Sequence, residues 1–218
     1  KNTITHNSTL VAPFIMAKSI LINGHQTYIL SNNSSQSQET FMKIEQIAKK
    51  QISSFIGLTD FFKGELVTSQ ANKDGFTHAQ TGFKYALFNG SKVTSLSGSI
   101  DNNRGKRSNL NVYDESGWTL EEYVSATEPF LAQDENFKLG GNVDVSILPL
   151  QIPNQRLFIS SASSTDSYFF KLYKDYAEKM LLGNDDYFVT DINCDVMLHP
   201  TTKGIYKGPL VKKSNVEA

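Results

Sequence analysis

A single cysteine, Cys194, occurs in 218 residues, so no disulfide closes within the chain and a reducing compartment is the default. No apolar run is long enough to span a membrane; the longest apolar stretch, 11–22, is interrupted by Lys18 and Ser19. The first residues lack the charged-then-apolar order of a secretory signal. Excess charge of either sign is also missing. The formal net charge is -1, so the total gives no electrostatic footprint for nucleic acid or an anionic membrane, although a local basic patch stays open. Internal repeats and low-complexity segments are absent. What remains is ordinary for one α/β domain with a short tail: 39% hydrophobic and 20% charged residues, enough to bury a core.

Periodicity outlines the elements. Residues 8–21 read as a helix with Leu10, Phe14, Ala17 and Leu21 on one face, and Pro13 in its early turns. A short strand over 27–31, a polar turn and a helix over 39–55 make a βα unit. Residues 61–98 read as β-structure, with 83–88 and 92–96 flanking a hairpin turn at Asn89-Gly90-Ser91. After a basic loop over 101–108 comes a strand over 110–113. A helix over 119–131 follows, with Thr119 as a candidate cap. Then come a strand over 157–159 and a helix over 163–182. That helix offers Phe169, Leu172, Tyr173, Tyr176 and Met180 to the core, and Gly183 ends it. Residues 187–198 are extended, and a polar linker follows.

The strand 110–113 delivers two adjacent acids, Asp114 and Glu115, at its C-terminal end. In a parallel sheet that end faces the ligand crevice. An ATPase needs two different acids there. One holds Mg²⁺ through its water shell, and the next polarises the attacking water. A strand running into an ordinary acidic turn explains the pair equally well. The partner motif, G-x-x-x-x-G-K-[ST], occurs nowhere in the sequence. Yet Ser8-Thr9-Leu10 opens an apolar helix just as the residues after a loop lysine would. The residues before it, His6-Asn7, resemble the C-terminal end of an intein. There an asparagine amide attacks its own carbonyl carbon, a histidine assists the proton transfers, and the next hydroxyl serves as nucleophile. With Lys1 at its start, the sequence reads as one entered in mid-sequence, with the splicing junction at His6, Asn7 and Ser8.

Taken in order, several segments resemble the large terminase subunit of tailed bacteriophages, the motor that packages DNA. They are Ser8-Thr-Leu-Val-Ala-Pro-Phe14, Tyr28-Ile-Leu-Ser-Asn32, Gln36-Ser-Gln-Glu-Thr-Phe41, the Walker B-like run from Arg104 to Glu115, and Leu157-Phe-Ile-Ser-Ser-Ala-Ser163. The resemblance implies a RecA-like (ASCE) P-loop NTPase domain: a mostly parallel sheet with flanking helices, here lacking the P-loop strand. It implies ATP and Mg²⁺ as cofactors. Ser8 and Asp114 would serve the metal, Ser8 and Thr9 the nucleotide, and Glu115 the attacking water. Ser160, Ser161 and Ala162 would sense the γ-phosphate. Its implied partners are double-stranded DNA, the portal protein, the small terminase subunit, further copies in a homo-oligomeric ring, and a cognate N-terminal intein half. Its implied place is the cytoplasm of an infected bacterium. Arg104, Lys106 and Arg107 would touch phosphate or DNA, or would form a solvated basic loop.

The implied organisation is an intein remnant over 1–7, an incomplete ATPase domain over 8–183, and an extended linker over 184–218 towards a nuclease domain. By itself the chain would not hydrolyse ATP efficiently, because the phosphate-gripping lysine is missing. Two rivals stand beside this reading: a C-terminal intein fragment with its C-extein, and a non-catalytic DNA-binding or scaffold module. His25, His78 and His199 lack ligand-like neighbours, so a metal site on them is not expected. Asp191 and Asp195 share one face of an extended segment, which a solvated edge explains as well as a site does.

Overall fold

The computed structural model describes residues 6–50, 56–70, 72–96, 105–132, 153–161 and 163–191. In chain order the elements are α1 (His6–Leu21), β1 (Gln26–Leu30), α2 (Ser34–Ala48), α3 (Ile56–Glu65), β2 (Phe76–Ala79), β3 (Gly82–Ala86), β4 (Lys92–Ser95), β5 (Leu110–Tyr113), α4 (Glu121–Thr127), β6 (Gln155–Phe158) and α5 (Tyr168–Leu181). Short 3₁₀ turns at Ser116–Trp118 and Glu128–Leu131 flank α4. The strands form one mixed sheet in the order β2-β3-β4-β1-β5-β6. Strands β4, β1, β5 and β6 are parallel, and the β2-β3 hairpin extends them antiparallel.

Strand alternation divides the core. Ile29, Val93 and Val112 face α1, α2 and α3 through Ile15, Met16, Phe41, Ile44 and Phe62. Leu30 and Tyr113 face the other way, towards Leu96, Tyr123, Val124 and Phe130. Helices thus cover both sides of β5, and all four of its residues are buried. A continuous LNVY run is what a doubly covered parallel strand requires. Its one polar member, Asn111, is satisfied: it accepts from Ser108 Oγ at 2.7 Å and donates to Thr127 O at 3.2 Å.

Several expectations are corrected. Residues 56–65 form a helix, so 61–65 are not β-structure; Phe62 is buried, and Thr59 Oγ1 donates to Ile47 O at 2.9 Å, tying α3 to the end of α2. Helix α2 starts earlier than residue 39, because Asn33 caps it by accepting from Ser35 N at 3.2 Å. It ends at Ala48, and Lys50 then adopts φ 59°. Pro13 lies inside α1, since that helix already begins at His6. Thr119 does not cap α4. Its N–H closes the 3₁₀ turn onto Ser116 O at 3.1 Å, and the capping position falls on Leu120 without a side-chain bond. Pro129, which has no N–H, then breaks the helix into a 3₁₀ turn. Helix α5 begins at Tyr168 because Ser163–Ser167 are spent on turns, and none of its residues is fully buried. Its expected stop holds, with Gly183 at φ 84°. The hairpin turn holds as well, with Gly90 at φ 84° and Leu87 N donating to Ser91 O at 2.9 Å.

The chain divides into two compact units. One is Thr5–Phe169, and the other includes α5 from Phe170 onward. Within the second, Tyr176 meets Tyr187 edge-on at 5.0 Å, and Phe170 stacks with Tyr173 at 6.1 Å. Among the described residues no helix is long and apolar enough to cross a membrane.

Candidate functional site

Register places the site. Leu30, Tyr113 and Phe158 stand side by side at the C-terminal ends of β1, β5 and β6. The chain leaves β1 for β4 on one side and returns to β5 on the other. Such an order reversal opens a crevice at the carboxyl ends of parallel strands. The residues immediately after those ends are Ser31, the Asp114-Glu115 pair, and Ile159 to Ser161.

Backbone bonds continue past the strands and fix this edge. Asp114 N donates to Leu30 O at 2.9 Å, Ile159 N to Tyr113 O at 2.9 Å, and Ser116 N to Ile159 O at 2.9 Å. Side chains then tie the loop after β5 to the loop after β6. Gly117 N donates to Ser160 Oγ at 2.9 Å, Ser163 Oγ to Gly117 O at 2.9 Å, and Ser116 Oγ to Ile159 O at 2.9 Å. Ser161 hydrogen-bonds the Glu115 carboxylate. A Cβ on Gly117 would lie 2.6 Å from Ser160 Oγ and 2.7 Å from Ser163 Cβ, so glycine is what permits this approach.

The two acids differ in setting. Asp114 is 9% exposed. Its Oδ1 accepts from Glu115 N at 3.1 Å, and its Oδ2 accepts a hydrogen bond from Thr40 Oγ1 on α2. Burial pushes its carboxyl above the usual range, and the bond from Thr40 opposes that shift. Glu115 is more open. Burial raises its carboxyl first and the neighbouring Asp114 charge second, while Ser161 pulls it down. Glu115 also sits at φ 52°, ψ 43°, the left-handed region. A non-glycine residue there costs of order 1 kcal/mol and persists only when its surroundings hold it. Here the 3₁₀ turn that follows and the serine clasp hold it. Among the described residues, neither acid forms an ion pair.

Helix α1 packs against the sheet beside these strands. Its C-terminal Lys18 hydrogen-bonds Gln155, at the start of β6, so the helix runs back along the sheet. Ser8 lies ten residues earlier, about 15 Å along the helix axis towards the ends that carry Asp114. His6, Asn7, Ser8 and Thr9 all fall in the first turns of α1, and the helix runs without a break across the expected splicing junction.

Other expected residues lie elsewhere. Lys106 and Arg107 precede β5, at the opposite end of the strand from Asp114, so a phosphate beside Asp114 is not theirs to touch. Lys106 is half-buried, and burial lowers its pKa. Arg104, Ala162, Asp195 and His199 lie outside the described residues; Asp191 is exposed. Sequence reasoning missed Thr40, Ser163, Gly117 and Glu39, whose charge raises both site carboxyls. Thr40 had one legible sign: it precedes Phe41 on a helix whose apolar positions demand burial.

The donor set fits a hard cation. Asp114 and Glu115 offer carboxylate oxygens just past the end of β5. That suits Mg²⁺, which keeps several waters and takes one or two carboxylates plus substrate phosphates.

No protein-family model and no curated protein sequence matches the chain. Among solved structures, the large terminase of HK97 bacteriophage superposes with a TM-score of 0.57 at 12% identity, covering 85% of this chain and 32% of that one. The ATPase domain of the Thermus phage P74-26 large terminase is 16% identical with a TM-score of 0.43, over 84% of this chain and 83% of that domain. The chain therefore spans under a third of the length of the HK97 protein. The HK97 likeness concerns the fold, here a mixed α/β architecture built on a mostly parallel six-stranded sheet.

Proposed function

We propose that this chain is part of the ATPase motor of a phage large terminase, coupling Mg²⁺-dependent ATP hydrolysis to the packaging of double-stranded DNA. One observation carries the reading. Glu115 is held in a left-handed conformation at the carboxyl end of a buried parallel strand, beside Asp114, and is hydrogen-bonded to Ser161 of the next strand's loop. A carboxylate fixed next to a second acid and wired to a neighbouring loop suits a water-orienting base better than a surface turn.

Bound Mg²⁺ would neutralise charge developing on the transferred phosphoryl group. Asp114 would hold its water shell, and Ser8 would add a hydroxyl ligand from α1. Glu115 would accept the proton of the attacking water. Ser160 and Ser161 bond to Gly117 and Glu115, so a displacement of the loop after β6 moves the base itself. This is how the serines, with Ala162, would couple nucleotide state to motion. The sequence contains no G-x-x-x-x-G-K-[ST] run, so on this reading the phosphate cradle would come from a joined segment. The motor's DNA, portal and small-subunit partners follow from the same reading.

The test compares the chain alone with the chain joined to the segment that supplies the phosphate loop. The joined protein is expected to hydrolyse ATP only with Mg²⁺ and faster with double-stranded DNA, while the chain alone does not. DNA binding with no hydrolysis in the joined protein would favour a scaffold module instead.

A further inference from the structure

The Asp114 carboxylate has both oxygens engaged by the protein, one by the backbone of its own loop and one by a side chain from a different layer. Oδ1 takes the Glu115 N–H, which belongs to the loop the acid itself sits on. Oδ2 takes the Thr40 hydroxyl, which belongs to α2, 74 positions away in sequence. With only the first bond, the carboxylate plane would be free to turn about its side-chain bonds. With both, its orientation is fixed between two elements.

We propose that Thr40 is a positioning residue for the metal-holding acid, locking the Asp114 carboxylate so that its remaining lone pairs face the crevice at the strand ends. The inference rests on the ATPase reading above and deepens it.

Three features make Thr40 fit the role. It is 1% exposed, so water does not compete for its hydroxyl. It is β-branched, and within a helix its χ1 is restricted to few states, so the hydroxyl is held in place. Its helix is anchored on both sides of it. Phe41 meets Phe76, Phe83 and Tyr85 with ring centroids 5.9 to 6.1 Å apart. One turn earlier, Ser37 Oγ donates to Leu96 O at 2.9 Å, fixing α2 to the end of β4. Thr40 therefore transmits the position of α2 to the acid. Partners that orient a ligating carboxylate are worth roughly 10- to 100-fold in metal affinity or activity.

The experiment uses the chain joined to its phosphate-loop segment, with ATP saturating and Mg²⁺ varied. Thr40→Val keeps shape and branching but loses the donor. Thr40→Ser keeps the donor and loses a methyl group, and Thr40→Ala loses both. The expected result is a kcat lowered roughly 10- to 100-fold in the Val and Ala variants, with half-saturation at higher Mg²⁺, and with Mn²⁺, titrated without turnover and read by electron paramagnetic resonance, bound correspondingly more weakly. Thr40→Ser is expected within a few-fold of the unaltered protein. If Thr40→Val does not fold, the Ser and Ala variants make the same comparison. Ser and Ala impaired alike would overturn the proposal, because the methyl group and not the hydroxyl would then matter. So would Val or Ala hydrolysing like the unaltered protein while Glu115→Gln is inactive, an outcome that leaves the ATPase reading standing. Absence of hydrolysis in the unaltered joined protein overturns both.

Discussion

At the scale of single residues, burial decides which groups are costly to charge. His25, which links α1 to β1, is 3% exposed, and its Nε2 finds no hydrogen-bond partner among the described residues. Burial, with a smaller contribution from the Lys18 charge, lowers its pKa to about 4. An unfolded chain would protonate this histidine near pH 6.5, whereas the folded chain resists down to about 4. Between those values the unfolded state binds more protons. Stability is therefore fully present above pH 6.5 and falls as the pH drops towards 4. The loss reaches at most about 3 kcal/mol. Urea unfolding at stepped pH should show that decline, and His25→Phe should flatten it; an unchanged slope in the variant would remove His25 from the account. His25 drew attention in the sequence only as an unlikely metal ligand. Its burial depends on how α1 returns to the sheet, which no local pattern records. Asp114 and Glu115 were legible for the opposite reason: an apolar strand ending in two acids is a local pattern. The left-handed conformation of Glu115 was not, because glutamate carries no preference for it.

At the scale of elements, the site is a joint between two loops. The clasp of Gly117 with Ser160 and Ser163 is closed by contacts that leave no room for a Cβ. Gly117→Ala should push the loops apart and cost about 1 to 3 kcal/mol of stability. On the proposed reading it should also lower hydrolysis more than ATP binding, because it would displace Glu115, the proposed base, and not the nucleotide's grip. Thermal unfolding and the split between kcat and KM check this; an alanine variant with unchanged kcat would mean that the clasp is only structural. The sequence announced Ser160 and Ser161 as small polar residues after a strand, without their partners. Pairing between β5 and β6 is set over 45 positions, from Leu110 to Gln155, and local propensity does not encode such register. Helix α3 is hidden in the sequence because adjacent Phe61 and Phe62 look like strand content. In the fold one of them is buried and the other is 59% exposed, the division a helix face makes. Helix α5 was legible in extent and stop but not in burial: its aromatic stripe is half-covered, where the pattern predicted core.

At the scale of the whole molecule, the architecture was the most legible part. Strands alternating with helices, apolar runs in the middle and an acidic strand end point to a parallel α/β sheet before any contact is known. The likeness in fold to the HK97 large terminase agrees with that reading at only 12% identity, so the agreement lies in topology rather than shared residues. The antiparallel β2-β3 extension was less legible in its place than in its turn. The hairpin that joins β3 to β4 declares itself through Asn89-Gly90, but nothing local says that β2 adds to β3 or that β4 pairs with β1. The central claim is that Glu115 orients the attacking water at an edge built by three parallel strands. Its most direct test is Glu115→Gln in the chain joined to its phosphate-loop segment, with ATP binding and hydrolysis measured on the same preparation. The predicted result is retained binding and a kcat lowered roughly 100- to 10,000-fold. Hydrolysis at the unaltered rate would contradict it.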